Sequence, residues 1–183
     1  MPTHRKANVH VVNDTGERIR AVSIVHKYSD NYANDHVWEA LERGATSDAT
    51  QVDYNTGAFT TGRDWWLVAW VSDDGTTLYY TNPHNLRDFV DLLESVATSA
   101  ATLVGSLVTS ESGGWGGAVG HAIVAPFVNN SKTSGFKQHI LRAEDAVTKI
   151  HVTKSEVSWV SPSCTSKTGV ATKAIPKAKK AAA

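Results

Sequence analysis

The segment "RDWWLVAWVSDDGTTLYYTNP", residues 63–83, constrains the fold of this chain more than any other. Two runs rich in aromatic and β-branched residues flank Asp74-Gly75, the strongest short-range signal for a β-hairpin. Successive side chains of a strand point to opposite faces. Trp66, Val68 and Trp70 therefore share one face, and Trp65 and Leu67 share the other. A strand with one wet face alternates apolar and polar residues. This one is apolar on both, so it needs cover on both. Trp66, Val68 and Trp70 form the more continuous row and are assigned to the core. Trp65 and Leu67 need a second layer.

Further strand signals surround this hairpin. Val9 and Val11, then Val22 and Ile24, alternate on either side of the turn "NDTG". "HVWEALERGATSDATQVDYNTG" supplies one or two strands, and "GFKQHILRAEDAVTKIHVTKSEVSWV" two or three more. About seven to nine strands with frequent turns predict a mainly β chain: a single antiparallel β-sandwich over residues 1–160. Inside it, Leu86, Phe89, Val90, Leu93, Val96, Ala97, Ala100, Leu103, Val104 and Leu107 recur at helical spacing. One long inserted helix is expected at about 84–108. It follows the Trp hairpin directly and is the expected cover for Trp65 and Leu67.

The helix opens a longer insertion, to about residue 131. Between Glu94 and Lys132 only Glu111 carries a fixed charge, and "SGGWGGAVGHAIVAPFVNN" places five glycines around Trp115. Neither half reaches the roughly 20 apolar residues that a spanning helix needs. A small-residue helix followed by a loop, packed on the sandwich or on a partner, is expected. The alternative is a hairpin that inserts into a membrane after docking, with Trp115 and Phe127 as its contacts.

Charge separates a body from a tail. Of eighteen basic and eighteen acidic residues, six lysines and one glutamate lie from Lys154 onward, so the body keeps twelve basic and seventeen acidic groups. Residues 161–183 have little apolar content and are expected to be a flexible basic tail. Its lysines suit anionic lipid, but a neutral chain with an acidic body is not built to bind nucleic acid specifically. The single Cys164 cannot pair within the chain, and the first residues lack the apolar run of a secretory signal. A cytoplasmic protein is expected, with peripheral membrane association compatible.

Catalytic patterns are missing from the sequence: no phosphate-cradling loop, no His-x-x-x-His or Cys-x-x-Cys metal pattern, no nucleophile elbow. No metal, cofactor or enzymatic activity is expected. The residue-rich candidate is "HKYSDNYANDHVW", 26–38. Tyr28, Asp30, Asn31, Tyr32, Asp35 and Trp38 combine flat rings with short polar side chains, and Trp65 joins them as a ring of undecided side. Such sets stack on apolar faces and bond hydroxyls. The structural alternative is a loop held by Asp and Asn bonds to its own backbone.

"VHVVNDTG", "AVSIVHKYSDNYANDHVW", "TSDATQVDYNTGAFTTGRDWWLVAW" and "SGFKQHILRAEDA" resemble a small, mainly fungal family. Its namesakes are nematode proteins up-regulated in long-lived insulin-receptor mutants. The similarity spans roughly residues 7–152, and "HKYSDNY" and "GRDWW" are its most distinctive pieces. The resemblance implies a β-sandwich related in fold to aegerolysins, which are lipid-binding proteins, and members that pair with one another. Three functions follow as expectations. The first is a non-catalytic module recognising lipid or membrane surface. The second is an interaction protein acting as a homo-oligomer, such as a dimer, or with a related chain. The third is a lectin-like carbohydrate-binding module.

Overall fold

The computed structural model describes residues 2–28, 32–57, 64–82, 114–129 and 135–176, together with 98, 102 and 133. Ten strands build one sheet. They are β1 (Thr3–Asn13), β2 (Ile19–Tyr28), β3 (Tyr32–Leu41), β4 (Thr50–Thr56) and β5 (Asp64–Ser72). Then come β6 (Thr77–Thr81), β7 (Lys137–Gln138), β8 (Val147–Val152), β9 (Glu156–Val160) and β10 (Thr165–Ala174). A helix, α1 (Trp115–Val128), lies between β6 and β7. The chain is mainly β with one helix among the described residues, as its sequence predicts.

The order across the sheet is β3-β2-β5-β6-β10-β9-β8-β1-β4, with the short β7 on β5. The sheet curls until it is nearly a barrel. It differs from the expected sandwich in two respects. The β1–β8 pair is parallel where an antiparallel set was expected. And the two halves are continuous, because β10 spans both: residues 165–169 pair with β9 and residues 170–174 with β6.

That strand corrects the expectation of a flexible tail from residue 161. Its side chains alternate between exposed and half-buried, so no apolar stripe announces it. Its place comes from main-chain pairing on both edges, which composition does not record. Ile175 is buried just beyond it, and its N–H bonds the Thr76 carbonyl at 2.8 Å.

Two apolar clusters hold the fold. Inside the curled sheet, Val9, Val11, Val22, Ile24, Val52, Ile150 and Val157 pack with Trp66, Val68, Trp70 and Trp159. This is the face assigned to the core from alternation alone. Outside β2, β5 and β6, Val25, Leu67, Ala69, Val71 and Leu78 pack under Trp115, Val119, Ile123, Val124 and Phe127 of α1. A helix therefore covers the second face, but it is drawn from the glycine-rich segment. The helix expected at 84–108 falls almost wholly outside the described residues.

The glycines of α1 have a steric reason. A Cβ on Gly116 would lie 2.1 Å from the Glu39 carbonyl oxygen, and one on Gly120 2.3 Å from Val37 Cγ1. These two positions, one turn apart, let the helix backbone settle directly on β3. Glycine here marks close approach and not a loop.

Candidate functional site

The near-barrel has one seam, where the terminal strands β3 and β4 meet without main-chain pairing. Side chains bridge it. Asn34 Nδ2 donates to Asp53 Oδ2 at 3.1 Å, and Asn34 Oδ1 accepts the Asp53 amide at 2.9 Å. His4 reaches Asp53 Oδ1 at 2.8 Å, and Lys6 lies 3.7 Å from the same oxygen. Burial pushes the Asp53 carboxyl upward, but the bonds from Asn34 and His4, with Lys6 beside it, hold it below its ordinary value.

Register decides what the seam displays. Tyr32, Asn34, His36 and Trp38 stand opposite Tyr28, His26, Ile24 and Val22 of β2. Val22, Ile24, Tyr28 and Trp38 all belong to the interior cluster, so the four β3 residues form an inward row. Their β2 counterparts are fully buried, whereas Tyr32, Asn34 and His36 are only half-buried. The missing neighbour at the seam leaves the inward row open.

The row is aromatic, polar and uncharged near neutral pH. Tyr32 packs between His4 and Tyr28, with ring centroids 5.1 and 6.0 Å away. The His36 and Trp38 rings lie 4.5 Å apart. Burial lowers the His36 pKa, with Asp35 opposing and His121 reinforcing that shift, so the imidazole is neutral at pH 7. Trp38 is 9% exposed, and its indole N–H has no hydrogen-bond partner among the described residues. A buried donor without a partner costs roughly 1–3 kcal/mol.

The expected site residues divide accordingly. Tyr28, Tyr32 and Trp38 come together on the inward row, in a strand and not in the expected loop. Tyr28 is 2% exposed and backs the row from β2. Asp35 points to the outer face, and Asn34 and His36 take the place expected for it. Asp30 and Asn31 lie outside the described residues. Trp65 turns outward, half-buried against the cluster under α1, and is not part of the row.

Trp115 and Phe127, expected as membrane contacts, are buried in the fold. They are 6% and 2% exposed, with Arg20 stacked over the Trp115 ring at 5.2 Å and Phe127 against Phe136. The apolar stripe of α1 is spent on the sheet.

A second polar cluster, deeper in the fold, is invisible in the sequence. His26 Nε2 pairs with Asp64 Oδ1 at 3.0 Å, and Asp64 Oδ2 accepts the Leu141 amide at 3.0 Å. The Trp66 indole donates to the His139 carbonyl at 2.9 Å. His139 itself sits between two hydroxyls, Ser166 Oγ at 2.9 Å from Nδ1 and Ser161 Oγ at 2.8 Å from Nε2. Burial lowers its pKa to about 4, against the opposing pull of Asp145 and Asp64. Cys164 Sγ lies 4.0 Å from Nδ1, so this thiol is not the isolated group its sequence neighbours suggest. The arrangement ties residues 139–141 to β5, β9 and β10. These partners are 22 to 77 positions apart, so no local spacing signals them.

The family model described as "Up-Regulated in long-lived daf-2" matches residues 3–170, from the first residue of β1 into β10. No curated protein matches the chain.

Proposed function

This chain belongs to the family described as up-regulated in long-lived daf-2, and on that premise we propose that it is a non-catalytic binding protein whose β3 row recognises the headgroup layer of a lipid surface. The observation that carries this reading is the half-buried row of Tyr32, Asn34 and His36 along the open seam, beside Trp38, which is 9% exposed and whose indole N–H has no partner among the described residues. A headgroup oxygen supplies the missing acceptor. Tyr32, Asn34 and His36 offer further hydrogen bonds beside it, and amphipathic rings of this kind favour a membrane interface. Lys6 at the rim adds weak attraction to anionic lipid.

Attachment on this reading is peripheral. Among the described residues no helix is long and apolar enough to cross a membrane, and the rings of α1 are already buried. Self-association has less support, since Val147 and Val160 are the only large exposed hydrophobics among the described residues.

Sedimentation with vesicles tests the reading: phosphatidylcholine alone, then with sphingomyelin, with sterol, or with phosphatidylserine. At least one composition should pellet the protein, and Trp38→Phe, which keeps an apolar ring but removes the N–H and the second ring, should weaken pelleting by roughly tenfold. Absence of pelleting with all four compositions rejects the proposal.

A further inference from the structure

One end of the barrel, marked on β2 by Ile19 opposite Ser72 of β5 and Leu41 of β3, carries a groove. There the β1–β2, β5–β6 and β8–β9 turns enclose an open polar space of about 490 Å³, walled by Glu17, Arg18, Asp73, Asp74, Tyr79 and Lys154. That volume is within the range of small-molecule sites.

Its charged side chains are tied into ion pairs and hydrogen bonds. Glu17 pairs with Lys154 at 2.9 Å. Arg18 pairs with Glu42 at 2.9 Å and approaches Asp73 at 3.7 Å, while Asp73 holds Arg20 at 2.8 Å. Asp74 Oδ1 accepts from Ser72 Oγ at 2.6 Å, from Thr76 Oγ1 at 2.8 Å and from the Thr76 amide at 3.1 Å. A charged ligand has to break one of these pairs to be recognised. A neutral ligand with many hydroxyls does not, because each carboxylate keeps lone pairs to accept and each cation keeps N–H groups to donate.

One wall is an aromatic platform. Tyr79 lies flat against Trp70, with centroids 5.4 Å apart and planes 2° from parallel. Trp70 is fully buried, so the Tyr79 ring is backed by the rigid interior and still contributes to the groove. A fixed flat ring beside paired hydrogen-bonding groups matches the two sides of a pyranose: an apolar face of C–H groups and an edge of hydroxyls.

We propose that this groove is a binding site for a neutral sugar of monosaccharide size, stacked on Tyr79 and held at its hydroxyls by the ion-paired residues around it. The site is separate from the β3 row and does not depend on lipid recognition there.

Amide-shift mapping of the full chain with neutral methyl glycosides of glucose, galactose, mannose and N-acetylglucosamine tests it. At least one should give saturable shifts at residues 17–18, 72–79 and 153–155, with affinity unchanged as salt is raised. Tyr79→Ala should weaken that binding at least roughly tenfold, and Tyr79→Phe should keep it. If Tyr79→Ala does not fold, the shift map of the unaltered protein decides. The proposal is overturned if no glycoside gives saturable shifts, if the shifts fall on residues 32–38 instead, or if a folded Tyr79→Ala binds equally well. Vesicle binding that fails while these shifts appear removes the lipid reading alone.

Discussion

Glu39 on β3 accepts the Gly116 amide at 2.7 Å through one carboxylate oxygen and the Gly117 amide through the other. The helix has no cap of its own: Gly114 at its start offers no side chain, and its first turn holds no acidic residue. A strand residue 77 positions upstream therefore does the work of an N-cap and meets the positive end of the helix dipole. Glu39→Ala should cost about 0.5–2 kcal/mol of stability. Denaturant midpoints read the loss, and faster exchange of the Gly116 and Gly117 amides places it at the helix start. An unchanged midpoint with unchanged exchange refutes the capping role.

The glycines of α1 should respond in a fixed order. Alanine ordinarily improves a helix interior by about 1 kcal/mol over glycine. At Gly116 the added methyl meets a backbone oxygen that cannot rotate away, and at Gly120 it meets a Val37 methyl that can shift a little. Gly116→Ala should therefore destabilise most, by roughly 1–3 kcal/mol, and Gly120→Ala less. Gly114→Ala has nothing within 4 Å and should stay within about 0.5 kcal/mol of the parent. Equal thermal midpoints for all three variants contradict the close packing.

Acid should loosen the fold through His139. Its pKa in the folded chain is lowered from 6.5 to about 4. The unfolded chain thus takes up the proton first, and stability falls as pH drops from about 6.5 towards 4, staying flat for this group above that window. The loss is on the order of 1–3 kcal/mol at the acid end. Trp66 and Trp159 have ring centroids 6.5 and 6.4 Å from the imidazole, so tryptophan fluorescence follows the transition. His139→Gln should flatten the dependence in that window. An equally steep curve in the variant assigns the effect elsewhere.

Truncation separates strand from tail. A chain ending after Ser161 loses β10, and with it the pairing that joins β6 to β9. It should lose cooperative thermal unfolding. A chain ending after Pro176 keeps every described strand and should unfold within about 2–4 °C of the parent. Cooperative unfolding of the shorter chain at the parental midpoint is the outcome that contradicts this.

The strands with regular alternation were legible. The Trp66-Val68-Trp70 row declared itself because period-two spacing and apolar character coincide there. Strand β10 did not, because its residues are polar and its energy lies in main-chain bonds to partners 89 to 97 positions away at β6. Helix α1 was misread because glycine lowers helix propensity locally, while the reason for it, a backbone of β3 at 2.1 Å from a would-be Cβ, belongs to another element. At the candidate site the residue types were legible, and the choice among them was not. Asn34 and His36 join Tyr32 and Trp38 because β3 is a strand whose even positions face inward; Asp35 is excluded by the same rule.

By itself, the sequence determined a mainly β chain whose central strand is apolar on both faces and so must lie between two layers. Alternation and turn chemistry are local, and local rules suffice for that. Only the tertiary structure decided which segment forms the second layer, how β10 joins the halves into one curled sheet, and where the barrel stays open. Those are choices among distant partners, set by steric fit at Gly116 and Gly120, by main-chain pairing along β10, and by the side-chain bridge from Asn34 to Asp53. The open seam beside Trp38 exists only where the two ends of the sheet meet.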